Sequence, residues 1–277
     1  MKRRWLWCLS VLVACSGSSG DEGASDVPHE ASTDADTMSG ETAQTLPGDP
    51  DLSGGWALVQ EMSGIAEVSM VGQVVRTNRS YAWAVVTGGQ GSFDLEATAC
   101  AVEIDSGTDL VQLLLPDQTI EHLNPVQHHL TVTMQDGAVH TEGDESIDLR
   151  GVHLDEPSAE ALPTTADDPR VYDQDNDNRP GITVQATGVV DGQIWVVQRM
   201  RSRFFDGQVT VGGVFGLIEW TDEQVPLGAD NELLLMTDNS STPNPDPTTS
   251  WFRMVRMNGV SDCAGLMAKR GLLDEGR

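Results

Sequence analysis

Between residues 173 and 181 the chain reads Asp173-Gln174-Asp175-Asn176-Asp177-Asn178-Arg179-Pro180-Gly181, which sets a carboxylate at alternate positions. That spacing suits a hard divalent cation. Such an ion takes about six to eight oxygen ligands at about 2.3–2.6 Å, and a tight turn with acids at i, i+2 and i+4 supplies three. Asp173, Asp175 and Asp177 are therefore the candidate ligands. Asn178 follows them and tolerates the left-handed backbone a tight turn needs. The expected ion is calcium, in a structural role: it would brace the loop and neutralise clustered carboxylates, with a Kd of about 10⁻⁴–10⁻³ M. The plainer alternative is an Asx-rich turn in a chain already crowded with acid.

Two further sets of residues have chemical potential. Arg199, Arg201 and Arg203 alternate and so share one face of a strand. Turned into a barrel they could bind an anionic ligand through bidentate contacts; turned outward they would pair with neighbouring carboxylates. His122, His128 and His129 lie close together, and His128 could meet His140 across a hairpin at Asp136-Gly137, as a zinc pair would require. Surface histidines are the simpler reading. There is no Gly-x-Ser-x-Gly elbow, His-Glu-x-x-His pair, P-loop or dinucleotide fingerprint in the chain. An enzymatic role is left open, with the balance against it.

The alternating acids resemble the Asp-x-Asp-x-Asp calcium loops of EF-hands, dockerins, thrombospondin type 3 repeats and integrin-type propellers. The resemblance implies a calcium site, with departures. The bidentate glutamate of an EF-hand would fall at Val184, and the late acid of a propeller loop at Gly181. Any ion here would sit in a loop between strands, completed by a carbonyl, water or a distant acid.

The chain's address is written at its start. Met1-Lys2-Arg3-Arg4 is a basic opening, and an apolar stretch from Trp5 to Ala14 is too short to span a bilayer. It ends in Leu12-Val13-Ala14-Cys15, which resembles the lipobox of bacterial lipoprotein precursors. The resemblance implies a signal peptide over residues 1–14, cleavage before Cys15 and lipid on its thiol. Several acyl chains hold firmly where one holds marginally. Ser16 in place of an aspartate leans the expected location in the envelope towards the outer membrane rather than the inner. Residues 15–50 form the lipidated cysteine and an acidic linker, too poor in apolar residues to offset the entropy of ordering.

With 16 Lys+Arg against 43 Asp+Glu, the formal charge is -27. A chain so acidic repels nucleic acid, whose phosphates need a basic surface, and attracts cations. Cys8 leaves with the leader and Cys15 carries lipid, so Cys100 and Cys263 remain. An even pair in an exported chain is expected to form a disulfide, two separate buried thiols being the alternative.

From residue 51 to 277, short runs rich in Val, Leu, Ile, Trp and Thr recur between Gly, Asp, Asn and Pro. Expected strands are Trp56–Met62, Glu67–Thr77, Tyr81–Thr87, Phe93–Ile104, Leu110–Leu115, His129–Met134 and Ile147–Leu154. The later ones are Ile182–Val190, Gln193–Phe205, Gln208–Glu219, Glu232–Thr237 and Trp251–Met257. Asp-Gly pairs at 136–137, 191–192 and 206–207 mark hairpin turns. Asp262 could cap a helix over Cys263–Leu273. The fold class is all-β: one antiparallel β-barrel or sandwich with a short C-terminal helix. Gly54-Gly55-Trp56 opens the first strand with the Gly-x-Trp that begins lipocalins, a late strand carries Arg253, and a helix with a cysteine follows. That resemblance implies a barrel with an interior cavity. Three functions stay in play: an anchored domain that binds a ligand or envelope partner, a structural or adhesive unit with a filled core, and a hydrolase using paired carboxylates.

Overall fold

The computed structural model describes residues 50–68, 71–236 and 241–274. The leader, Cys15 and nearly all of the expected linker lie outside the described residues.

The chain forms β1 (Gly54–Val68), β2 (Gly72–Gly89), β3 (Ser92–Asp105), β4 (Val111–Leu114), α1 (Asp117–Glu121), β5 (Val126–Gln135) and β6 (Ala138–Gly143). It continues with β7 (Ser146–Arg150), β8 (Ile182–Gly188), β9 (Gly192–Thr210), β10 (Gly213–Ala229), β11 (Thr242–Pro243), β12 (Trp251–Val255), α2 (Cys263–Ala268) and α3 (Gly271–Asp274). All strand pairings are antiparallel, in one sheet. In chain order β1, β2, β3, β5, β6, β9, β10 and β12 each pair with the next, and β12 returns to β1, closing a ring of eight. The ring has no edge where it closes, while β4, β7 and β11 are each paired on one side only.

The tube has two levels because β1, β2, β3, β9 and β10 are long. At one level β12, β5 and β6 fill the gaps between them. There the interior is packed solid by Trp56, Leu58, Phe93, Leu130, Phe204 and Phe252. Each such side chain contributes about 1.5–3 kcal/mol on burial. At the other level the partners are β11 against β1, and β4 against β8 against β9. Here the interior is less filled.

Alternation sets which residues face inward, and one bulge resets it. Tyr81 and Ala82 face Ala101 and Ala99, so Cys100 is an extra residue in β3. Ala97 and Ala99 line the interior before it, Val102 and Ile104 after it. Cys100 is free to bond Cys263 of α2, and the Cys100–Cys263 disulfide ties α2 to the outside of the barrel. On that face α2 and α3 cover Ala57, Val59 and Tyr81, whose hydroxyl donates to Asp274 at 2.8 Å. This explains the continuous apolar run Trp56–Val59: both faces of β1 are buried there.

Several expected boundaries are corrected. Glu67–Thr77 is no single strand but the hairpin tip joining β1 to β2, with Val68 opposite Gly72. Phe205-Asp206-Gly207 is no turn either. Asp206 does adopt φ 50°, but the residues form a bulge within β9, and the chain reverses at Val211-Gly212 instead. Gly207 is required because a Cβ there would overlap Thr141 Oγ1. Glu232–Thr237, expected as a strand, contains a 3-10 helix over Glu232–Met236, started when the Asn231 side chain accepts from the Leu233 N–H at 3.2 Å. The run Ile147–Leu154 stops early, because the backbone turns at Gly151 with φ 69°. The expected single helix over Cys263–Leu273 is two short helices, α2 capped by Asp262 through the Gly265 N–H. At Asp136-Gly137 both residues have positive φ, as the expected tight hairpin demands.

Candidate functional site

Two places could do chemistry: the hollow level of the barrel and the acidic loop outside it.

The interior holds a cavity of about 310 Å³, large enough for a small ligand in an eight-stranded barrel. Its walls differ in character. β3, β4 and β8 present aliphatic side chains such as Val102, Ile104, Leu113, Ile182 and Val184. β7, β9 and β10 present Asp148, Arg150, Gln198, Asp222 and Gln224, and β1 and β2 add Gln60, Asn78 and Ser80. On the polar wall Arg150 Nε donates to Asp148 at 2.8 Å and its Nη1 to Gln198 Oε1 at 3.0 Å. Gln198 Nε2 then donates to Asp222 at 2.8 Å. Burial pushes the Asp222 carboxyl up from its ordinary range, with the Gln198 hydrogen bond opposing the shift.

Where the cavity meets the packed core, His128 stacks on Phe204 with ring centroids 4.3 Å apart, and Phe204 stacks on Phe252 at 4.2 Å. The imidazole is 4 % exposed and its Nδ1 has no hydrogen-bond partner. Burial lowers its pKa to about 4, so it is neutral at ordinary pH. Trp220 lines the same region and donates to Ser250 at 3.1 Å.

The acidic loop lies between the 151–172 segment and β8. Asp173, Asp175 and Asp177 each offer an oxygen within 4.8 Å of the others. Asn176, Asn178 and Gly181 adopt positive φ, which curls the backbone round them. Both Asp173 oxygens accept backbone N–H groups, from Asp177 at 3.1 Å and Asn178 at 2.9 Å. Asp177 accepts from the Arg179 N–H and the Thr183 hydroxyl. Asp175 is 1 % exposed; its Oδ2 accepts from Thr119 at 2.7 Å and from the Thr183 N–H at 2.8 Å. Its Oδ1 accepts nothing. A buried carboxylate oxygen without a donor is what a cation would satisfy, so these residues fit a hard metal ion.

The loop also holds α1. Gln118 donates to the carbonyls of Asp175 and Asn176 at 2.7 and 3.2 Å, and Gln174 donates to the His122 carbonyl at 3.0 Å. Leu115 and Leu123, flanking α1, line the cavity. The loop and the cavity thus share a wall.

The structure brings together the three aspartates and the two cysteines and sets the three arginines on one outward face, but it does not bring the histidines together. Arg199, Arg201 and Arg203 lie on the outer face of β9, paired with Glu223, Glu145 and Glu219. Arg199 also donates to the carbonyls of Pro157 and Glu160, pinning the 155–168 loop across the wall. The interior arginines are instead Arg76 and Arg150. His140 faces Thr133, and His128 faces Leu95, so the two histidines do not meet. Arg253, on the late strand β12, lies over the Phe215 ring at 5.2 Å, and Arg256 lies over Trp56 at 4.1 Å.

Sequence reasoning missed the whole polar wall. Its signal was present as polar residues at even positions in β9 and β10, but alternation reads polar as outward, and a wet interior inverts that rule. Comparison with family models, curated proteins and solved structures returns no match.

Proposed function

We propose that this chain is a lipid-anchored envelope protein whose barrel binds a small ligand in its interior, with calcium bracing the loop at Asp173, Asp175 and Asp177. One observation carries the binding reading: a cavity of about 310 Å³ with one aliphatic and one polar wall, inside the barrel at the level beyond the closed ring of eight. A structural or adhesive unit has no use for a hollow, which leaves contacts unmade at a cost.

Calcium is supported by the donor-free Oδ1 of Asp175 within the carboxylate cluster. The anchor rests on Leu12-Val13-Ala14-Cys15. Among the described residues no helix is long and apolar enough to cross a membrane.

The test is to produce the whole chain in a bacterium, isolate it from the membrane fraction and analyse co-purifying small molecules by mass spectrometry. A stoichiometric ligand in the membrane-bound wild type, with the Cys15→Ser chain recovered in the soluble fraction, is the expected result. An empty barrel and unchanged partition would contradict both parts.

One observation favours a second reading, hydrolysis. Asp148 and Asp222 both face the cavity, one ion-paired with Arg150 and the other with its pKa raised by burial. Such asymmetry suits an acid–base pair. Recovery of a cleaved ligand from the wild type, and of an intact one from Asp222→Asn, would favour it.

A further inference from the structure

If the barrel binds a ligand in its interior, the charges facing the cavity select that ligand's chemistry, and the inference rests on that binding reading. Arg76 and Arg150 supply two positive charges, Asp148 and Asp222 two negative ones. On the β7, β9 and β10 wall these groups are bonded to one another. Arg150 is committed to Asp148 and Gln198, and Gln198 to Asp222, while Arg76 has an interaction of its own but a buried Nε that donates to nothing. Asp148, Arg150, Gln198 and Asp222 therefore form one hydrogen-bonded chain in which the single arginine is already held by a carboxylate, inside a protein whose formal charge is -27. An ionic head group entering that chain would shed its hydration and have to compete for groups already bonded to one another, which is costly in a low-dielectric interior. The wall's amides and hydroxyls, on Gln60, Asn78, Ser80 and Gln224, carry no such conflict.

Deeper in, the lining offers one polar group beside aromatic and aliphatic side chains. His128 is held flat against Phe204 and leaves a ring nitrogen unpartnered. A neutral imidazole can donate or accept, according to tautomer, and so can meet a hydroxyl or amide but offers no charge. Opposite the polar groups, Val102, Ile104, Leu113 and Val184 give an aliphatic surface suited to a hydrocarbon chain.

We propose that the cavity takes an uncharged amphiphile, its hydrocarbon chain against β3, β4 and β8 and its hydroxyl or amide head on the Gln198 wall and His128 imidazole.

The experiment compares three probes with one chain and three heads, decanol, decanoate and decyltrimethylammonium, by calorimetric titration of the full-length protein below micelle formation. About 0.15 M salt screens the attraction of the acidic surface for the cation. Decanol is expected to bind one to one, at least tenfold more tightly than either ion, and His128→Phe to weaken it several-fold. Should an ion bind as tightly as decanol, the uncharged class is wrong while the cavity reading stands. If none of the three binds, the cavity reading fails and this inference with it. The head-group series on the wild type decides the matter even where the His128 variant does not fold.

Discussion

Replacing His128 with phenylalanine keeps a ring on Phe204 but removes the one titration that burial displaces furthest. The folded-state pKa of His128 is lowered from 6.5 to about 4. As pH falls below 6.5 the unfolded chain takes up a proton that the folded one refuses, so stability present at pH 7 drains away down to about pH 4. The gap corresponds to about 3 kcal/mol for this nearly fully buried ring. Asp222 acts with the opposite sign, because its raised pKa lets the folded state take a proton before the unfolded one. The surface carboxylates add terms of their own. Subtracting His128→Phe from wild type cancels these shared contributions. Urea unfolding at pH 7, 6, 5 and 4 with the disulfide intact should show the variant gaining on the wild type by about 3 kcal/mol across that range. Parallel stability curves would refute the claim that His128 is sealed and neutral.

Four other outcomes are expected from particular residues. Calcium at about 10 mM should stabilise the wild type by about 1.4 kcal/mol for a Kd near 1 mM, raising Tm by about 2–4 °C. Asp175→Asn should abolish that rise, and EDTA should reverse it, in differential scanning calorimetry. Removing the disulfide with Cys100→Ala and Cys263→Ala should cost about 2–5 kcal/mol in chemical denaturation, consistent with closure of a loop spanning 163 positions. Gly207→Ala should cost about 2 kcal/mol, because its Cβ meets Thr141 within the β9 bulge. Gly137→Ala, where nothing lies within 4 Å, should cost about 1 kcal/mol from its φ of 81° alone.

What was legible in the sequence was what local chemistry dictates. Leu130-Thr131-Val132 alternates because β5 has one inner face, and Asp136-Gly137 turns because both residues accept positive φ. The pairing of Cys100 with Cys263 came from counting, and the three aspartates from spacing. Long-range facts were hidden. Asp206-Gly207 looks like a turn, and only Thr141 of a distant strand makes it a bulge. Arg199, Arg201 and Arg203 were visible as a row, but their outward side was settled by strand register and by the 155–168 loop laid over them. The polar wall was hidden further because β2 runs Arg76-Thr77-Asn78-Arg79-Ser80, polar on both faces. Ring closure alone assigns Asn78 and Ser80 to the interior.

Whether the hollow level of the barrel is a binding site decides the functional reading. Ala99 lines it from β3, and Ala99→Trp would fill much of the space without touching the packed level. The decisive measurement titrates wild type and Ala99→Trp with N-phenyl-1-naphthylamine, a neutral dye that brightens in apolar surroundings, alongside a melting curve for each. Saturable one-to-one binding by the wild type, lost in an Ala99→Trp variant that still melts cooperatively, is the predicted result. Equal binding by both proteins, or none by the wild type, would contradict an interior site.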